Sequence, residues 1–100
     1  MELTTLYKLF ASSSEAQWIV RWDNAQELYN FVRENPVKKV LDLGTGIGCS
    51  PAIIALAFQD KGETNYEIHT VEQTQKCYDL AQKLIPEELK KNMRFYPRRL

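Results

Sequence analysis

Three observations predict an α/β protein built on a parallel sheet. Short apolar runs of strand type occur at residues 38–43, 65–72 and 93–96, helical stretches lie between them, and a glycine turn follows the first run directly. Strands separated by helices cannot pair as hairpins, so they lie parallel, joined by right-handed crossovers with helices on the sheet faces. Two further helical stretches precede the first strand.

The elements follow in chain order. In "SEAQWIVRW" Ser14 suits an N-cap and Gln17 its capping-box partner, which predicts a short helix over residues 14–22 with Trp18 and Trp22 on one face. A second helix runs from Asp23 or Asn24 to Glu34, because Ala25, Leu28 and Val32 fall at helical spacing and Pro36 makes Asn35 a poor helical residue. "KKVLDLG" then reads as a strand of about five residues from Lys38, apolar on both faces near its end like a strand inside a parallel sheet. "CSPAIIALAFQDKG" is a helix with Pro51 in its first turn and Gly62 at its C-terminal cap. "NYEIHTVE" is a strand ending at Glu72. "TQKCYDLAQKLI" is a helix N-capped by Thr74, with Cys77, Leu80, Ala81 and Leu84 on one stripe. Pro86 closes or kinks that helix, and residues 93–96 form a last strand before Pro97.

Composition narrows the class without naming an activity. One hundred residues suit one domain, and 13 basic residues against 13 acidic ones leave no global field to steer the chain toward nucleic acid or an anionic membrane. The longest apolar run, residues 52–58, is far below the roughly 20 residues that span a bilayer, and the N-terminus lacks the basic region and apolar core of a signal peptide. Cys49 and Cys77 with one histidine supply no familiar zinc site and no disulfide framework, so a cytoplasmic location is expected.

In a parallel sheet the ligand crevice lies at the carboxyl ends of the strands, and the turn "LDLGTGIG" sits at that corner. Gly44, Gly46 and Gly48 let the backbone approach a ligand closely. A Walker-type phosphate loop needs a lysine and then serine or threonine after the last glycine, whereas Cys49 and Ser50 follow Gly48. A dinucleotide fingerprint needs its third glycine where Cys49 stands, and Asp42 at the strand end would repel a pyrophosphate. An acid suits a ligand with positive charge. Glu72, closing the next strand, brings a second carboxylate to the same crevice, where it can accept both hydroxyls of a ribose. The competing readings are a tight corner in which Asp42 caps the next helix, a non-catalytic module for a nucleotide-like ligand, and a dinucleotide-binding fragment.

"VLDLGTGIG" followed by "HTVE" resembles the first two motifs of the class I S-adenosylmethionine-dependent methyltransferases, over residues 37–100. The resemblance implies a Rossmann-like three-layer α/β sandwich, here an incomplete one of about three strands, with residues 1–36 as an N-terminal helical segment. It implies S-adenosyl-L-methionine as cofactor, with Gly44, Gly46 and Gly48 against its methionine part, Thr45 in the same cofactor loop, Asp42 near its amino end and Glu72 on the ribose; Val71 and Gln73 either flank the adenine or are a buried strand residue and a solvated turn residue. It also implies the strand order 3-2-1-4-5-7-6, so this chain reads as the N-terminal, cofactor-binding half. The rest of the sheet is expected from a C-terminal half or a partner, and the groups that orient the methyl acceptor, a small molecule rather than RNA or protein, lie outside these residues. The sequence departs from the family after the third strand, where Pro97, Arg98, Arg99 and Leu100 offer no acid for the adenine amino group. Trp18 and Trp22 are expected to pack their helix onto the sheet, His69 to be a partly exposed strand residue, and Cys49 to serve packing although the helix start can activate a thiol.

Overall fold

The computed structural model describes residues 1–97, with every side chain there except that of Trp18. Three strands, β1 (Lys39–Leu43), β2 (Glu67–Glu72) and β3 (Met93–Pro97), form one parallel sheet in the order β1-β2-β3. The register pairs Asp42 with Thr70 and Thr70 with Phe95, so these three side chains share one face. Ile68 and Thr70 are fully buried in the central strand β2.

Helix α3 (Cys49–Asp60) crosses from β1 to β2 and is buried without interruption from Pro51 to Phe58. A helix apolar all round needs cover on every side. The sheet covers one side, and α1 (Leu3–Ala11) and α2 (Trp22–Glu34) cover the other. Leu6, Phe10, Ala25 and Val32 from these helices share one core with Ile53, Phe58 and Ile68. The C-terminus of α3 is a Schellman turn: Gly62 has φ +80°, its amide donates to Gln59 O at 3.0 Å, and the Glu63 amide donates to Phe58 O at 2.9 Å. Helix α4 (Gln75–Leu84) follows Thr74, and a four-residue helix α5 (Glu87–Lys90) follows Pro86. Pro86 therefore ends α4, since Ile85 before it is extended.

Both crossovers advance in the same direction across the sheet, so right-handedness puts α3 and α4 on one face. The described part of the sandwich thus has its helices on one face of the sheet. The opposite face, carrying Leu41, Leu43, His69, Val71 and Tyr96, has no helix among the described residues. Strand β1 lies at an edge of the sheet rather than inside it, and Leu41 and Leu43 are 65% and 75% exposed.

The expected helix over residues 14–22 is also corrected. Ala16–Trp18 form a single 3₁₀ turn and Ile19 is extended. The physical reason is a tertiary bond: the Tyr7 hydroxyl donates to Val20 O at 2.9 Å, which holds this segment as a strap across α1. Trp22 starts α2 and packs on Tyr7 at 5.0 Å between ring centroids, so it joins the two N-terminal helices instead of seating one on the sheet. The shared face of Trp18 and Trp22 lies outside the described side chains. Helix α1 is an element that the sequence reading missed, although Leu3, Leu6, Tyr7 and Phe10 carry its periodicity.

Candidate functional site

The site begins at the carboxyl ends of β1 and β2. Asp42, one residue from the end of β1, faces α3 and accepts hydrogen bonds from Thr70 Oγ1 at 2.8 Å and Ser50 Oγ at 3.1 Å. Because Thr70 gives its only proton to Asp42, the 2.6 Å contact between Thr45 and Thr70 is a bond donated by Thr45. The reading of Asp42 as a helix cap is replaced by this network: the N-cap of α3 is Gly48, and Asp42 holds the Ser50 side chain. Burial pushes the Asp42 carboxyl above its usual range, the hydroxyls of Thr70 and Ser50 pull against that, and the Glu72 charge adds to it. Thr70 and Ser50 are the members that sequence reasoning missed. Thr70 lies two residues before Glu72, on the same face of β2, and that alternation was the available signal.

The glycine turn alternates in handedness. Gly44, Gly46 and Gly48 have φ of +90°, +57° and +106°, while Thr45 and Ile47 between them keep negative φ. Such alternation curls successive amides around a common concavity, an arrangement that binds anions. Here the protein supplies its own acceptors. The amides of Gly44 and Thr45 donate to Val71 O at 2.8 and 2.9 Å, the Gly46 amide donates to Glu72 Oε1 at 2.8 Å, and the Gly48 amide donates to Thr45 O at 3.0 Å. The second oxygen of Glu72 accepts the Thr74 amide at 3.0 Å.

The glycines differ in what surrounds them. A Cβ on Gly44 would meet nothing within 4 Å, so this residue opens onto the crevice. A Cβ on Gly48 would come within 2.7 Å of Ile85 Cγ1 and 3.3 Å of Ala81 Cα. Gly48 is thus buried under the end of α4, where only a residue without a side chain fits. Thr45 is buried, with hydroxyl, amide and carbonyl all engaged inside the protein, so it fixes the loop. Gln73 is exposed at the rim of a concavity of about 980 Å³ that also touches Gly44 and Glu72, and Val71 lines its wall from the open sheet face.

Cys49 is 2% exposed and burial pushes its thiol up to about 12, so it serves packing. His69 is half-buried on the open face between Tyr96 OH at 2.8 Å and Glu67 Oε1 at 3.0 Å, and it lines the open-face part of the same concavity. The absence of an acid at Arg98, Arg99 and Leu100 concerns a stretch outside the described residues. Among the described residues no cluster of histidine, cysteine and acidic side chains could hold a metal ion, and no helix is long and apolar enough to cross a membrane.

A parallel sheet with its glycine turn and two acids at the strand ends defines a Rossmann-like α/β protein with its crevice at that edge. Known structures agree on the fold. The SAH-bound methyltransferase PaMTH1 of Podospora anserina superposes with a TM-score of 0.76 at 15% identity, over 93% of this chain and 39% of its own. TomG, an O-methyltransferase of Streptomyces achromogenes involved in tomaymycin synthesis and solved with SAM, gives 0.73 at 16% identity, over 94% and 41%. An O-methyltransferase from Bacillus cereus in complex with SAH gives 0.67 at 21% identity, over 93% and 42%. The chain therefore spans about two fifths of the length of these structures. No family model matches the sequence, and no curated protein does.

Proposed function

We propose that this chain is the S-adenosyl-L-methionine-binding part of a methyltransferase, with residues 37–100 as the cofactor domain and residues 1–36 as helices packed on it. The observation that carries the reading is how the loop amides are used. Those of Gly44, Thr45 and Gly46 are committed to Val71 O and Glu72, so they are not free to cradle a phosphate or pyrophosphate. What the carboxyl ends of β1 and β2 offer instead is two carboxylates, Asp42 and Glu72, neither in an ion pair among the described residues. A sulfonium and an ammonium suit that donor set, and a dinucleotide does not. The open space at Gly44 fits the close approach of such a ligand.

Asp42 attracts the cationic amino end, Gly44 and Gly46 give the methionine part room, and Glu72 accepts the ribose hydroxyls with the lone pairs its two amide bonds leave over. Thr45 and Gly48 hold the loop in shape, and Gln73 borders the adenine side. When bound, S-adenosyl-L-methionine supplies a methyl group on a sulfonium, with a neutral thioether as leaving group. The acceptor is a small molecule presenting an oxygen, supported by the balanced charge of the chain and by the O-methyltransferases among its structural relatives. The open sheet face and the free edge of β1 take the rest of the fold, from a C-terminal half or a partner. Both cysteines are free thiols, which suits a reducing cytoplasm.

Calorimetric titration of the folded chain with S-adenosylmethionine and S-adenosylhomocysteine tests the reading. Binding of both, with no heat from NAD, is expected; a folded chain that binds neither overturns it.

A further inference from the structure

We propose that Glu72 is the positioning residue of the glycine loop: its carboxylate holds Gly46 in the absence of any ligand, so the loop and the ribose-binding group form as one unit. The observation is the pair of amide bonds to one side chain. Glu72 Oε1 takes the Gly46 amide at 2.8 Å and Oε2 takes the Thr74 amide at 3.0 Å, which clamps the carboxylate between the loop and the turn after β2.

Neighbouring amides make Glu72 separable from the rest of the loop. Gly44 and Thr45 are fastened to β2 by its backbone, through Val71 O, and need no side chain. Gly46 is one residue further on, with φ +57°, and its amide has turned away from that carbonyl toward the carboxylate. Hydrogen bonds to an ionised acceptor are stronger than neutral ones, so the loop crest depends on this one group. A carboxylate oxygen has two acceptor sites, so the clamp leaves each oxygen of Glu72 one lone pair directed elsewhere. The clamp fixes where those lone pairs point before a ligand arrives, which lowers the ordering cost of binding. That last consequence rests on the cofactor reading above, whereas the clamp itself does not.

Amide hydrogen exchange by NMR on the cofactor-free chain tests the clamp with internal controls. In Glu72→Ala the Gly46 amide is expected to exchange at least tenfold faster, while Gly44 and Thr45 stay within about twofold of wild type, as loss of one charge-assisted bond predicts. An unchanged Gly46 overturns the proposal. So does a common rise of all three amides, which would mark Glu72 as a general stabiliser. Should Glu72→Ala fail to fold, Glu72→Gln keeps the size and loses the charge, and its one carbonyl oxygen cannot accept both amides at full strength. Selective acceleration of Gly46 or Thr74 is expected there, and wild-type rates at both overturn the proposal. Failure of the wild-type chain to bind S-adenosylhomocysteine would strike the cofactor reading alone and leave the Gly46 measurement standing.

Discussion

Asp42 is a carboxylate that the fold charges for at neutral pH. Burial raises its pKa, and the nearby Glu72 charge raises it further. For an acid whose folded pKa lies above the unfolded value of about 3.9, the folded state binds more protons across the interval between the two, so stability falls as pH rises through it. Above the interval the cost is constant. Asp42→Asn removes that cost while its amide can still meet the hydroxyls of Ser50 and Thr70. The cofactor-free variant is expected to be more stable than wild type at pH 7, with the gap in urea midpoint shrinking as pH falls toward 4. The same substitution removes the charge that faces a cationic ligand, and S-adenosylmethionine binding is expected to weaken about tenfold or more. Equal midpoints at every pH would show that Thr70 and Ser50 compensate the carboxylate fully. A polar residue kept at a cost to stability is a mark of a site rather than of a core.

At the scale of elements, the joint between α2 and α3 runs through Lys61. Its ammonium donates to Val32 O at 2.7 Å and Asn35 O at 2.8 Å, carbonyls that the end of α2 leaves without helical partners, and it lies 5.2 Å from the centre of the Phe58 ring. One cation thus caps α2 from the C-cap position of α3. Lys61→Met keeps the stem packed and deletes the donors, and a loss of about 1.5–3 kcal/mol is expected in urea unfolding, with an unchanged m-value. A loss below about 0.5 kcal/mol would mean that water replaces the ammonium without penalty. The elements differ in how legible they were. The strands and α3 could be read because their apolar runs are bounded by Gly44, Gly62 and the prolines, each of which acts on the backbone locally. The 3₁₀ strap could not, because a capping-box pattern at Ser14 lost to the Tyr7 bond with Val20, a contact 13 residues apart. In the site, Asp42 and Glu72 were legible from type and position. The burial of Gly48 was not, since Ile85, just past the end of α4, reaches it from 37 residues further along, and periodicity does not tell which glycine a neighbouring segment will touch.

The whole molecule is lopsided. One face of the sheet carries every helix of the described residues, and the other presents Leu41, Leu43 and Tyr96 beside an unpaired strand edge. An apolar face joined to a free edge is what soluble monomers avoid, because both its side chains and its backbone can pair with another chain. Lys39 at the start of β1, which reaches Glu67 at 4.0 Å, is the charge that guards this edge among the described residues, and it sits at the end away from Leu43. In a full-length enzyme of the kind proposed, a crossover from β3 back to the free side of β1 reverses direction, and right-handedness then lays its helix on this open face. Among the described residues no helix lies there. It is therefore expected to self-associate at high micromolar concentration, the range in which exposed apolar edges drive association, and to bind a hydrophobic dye. Leu41→Lys places a charge at the middle of the face, at a residue 65% exposed and packed under no helix, so the fold should tolerate it. Sedimentation velocity is expected to show wild type shifting to larger species with concentration and Leu41→Lys staying monomeric, with superimposable far-UV circular dichroism. A wild-type chain that remains monomeric and dye-free across that range would mean that the open face is too shallow or too well hydrated to act as a docking surface, and that whatever completes the sheet must bind through the β1 edge alone.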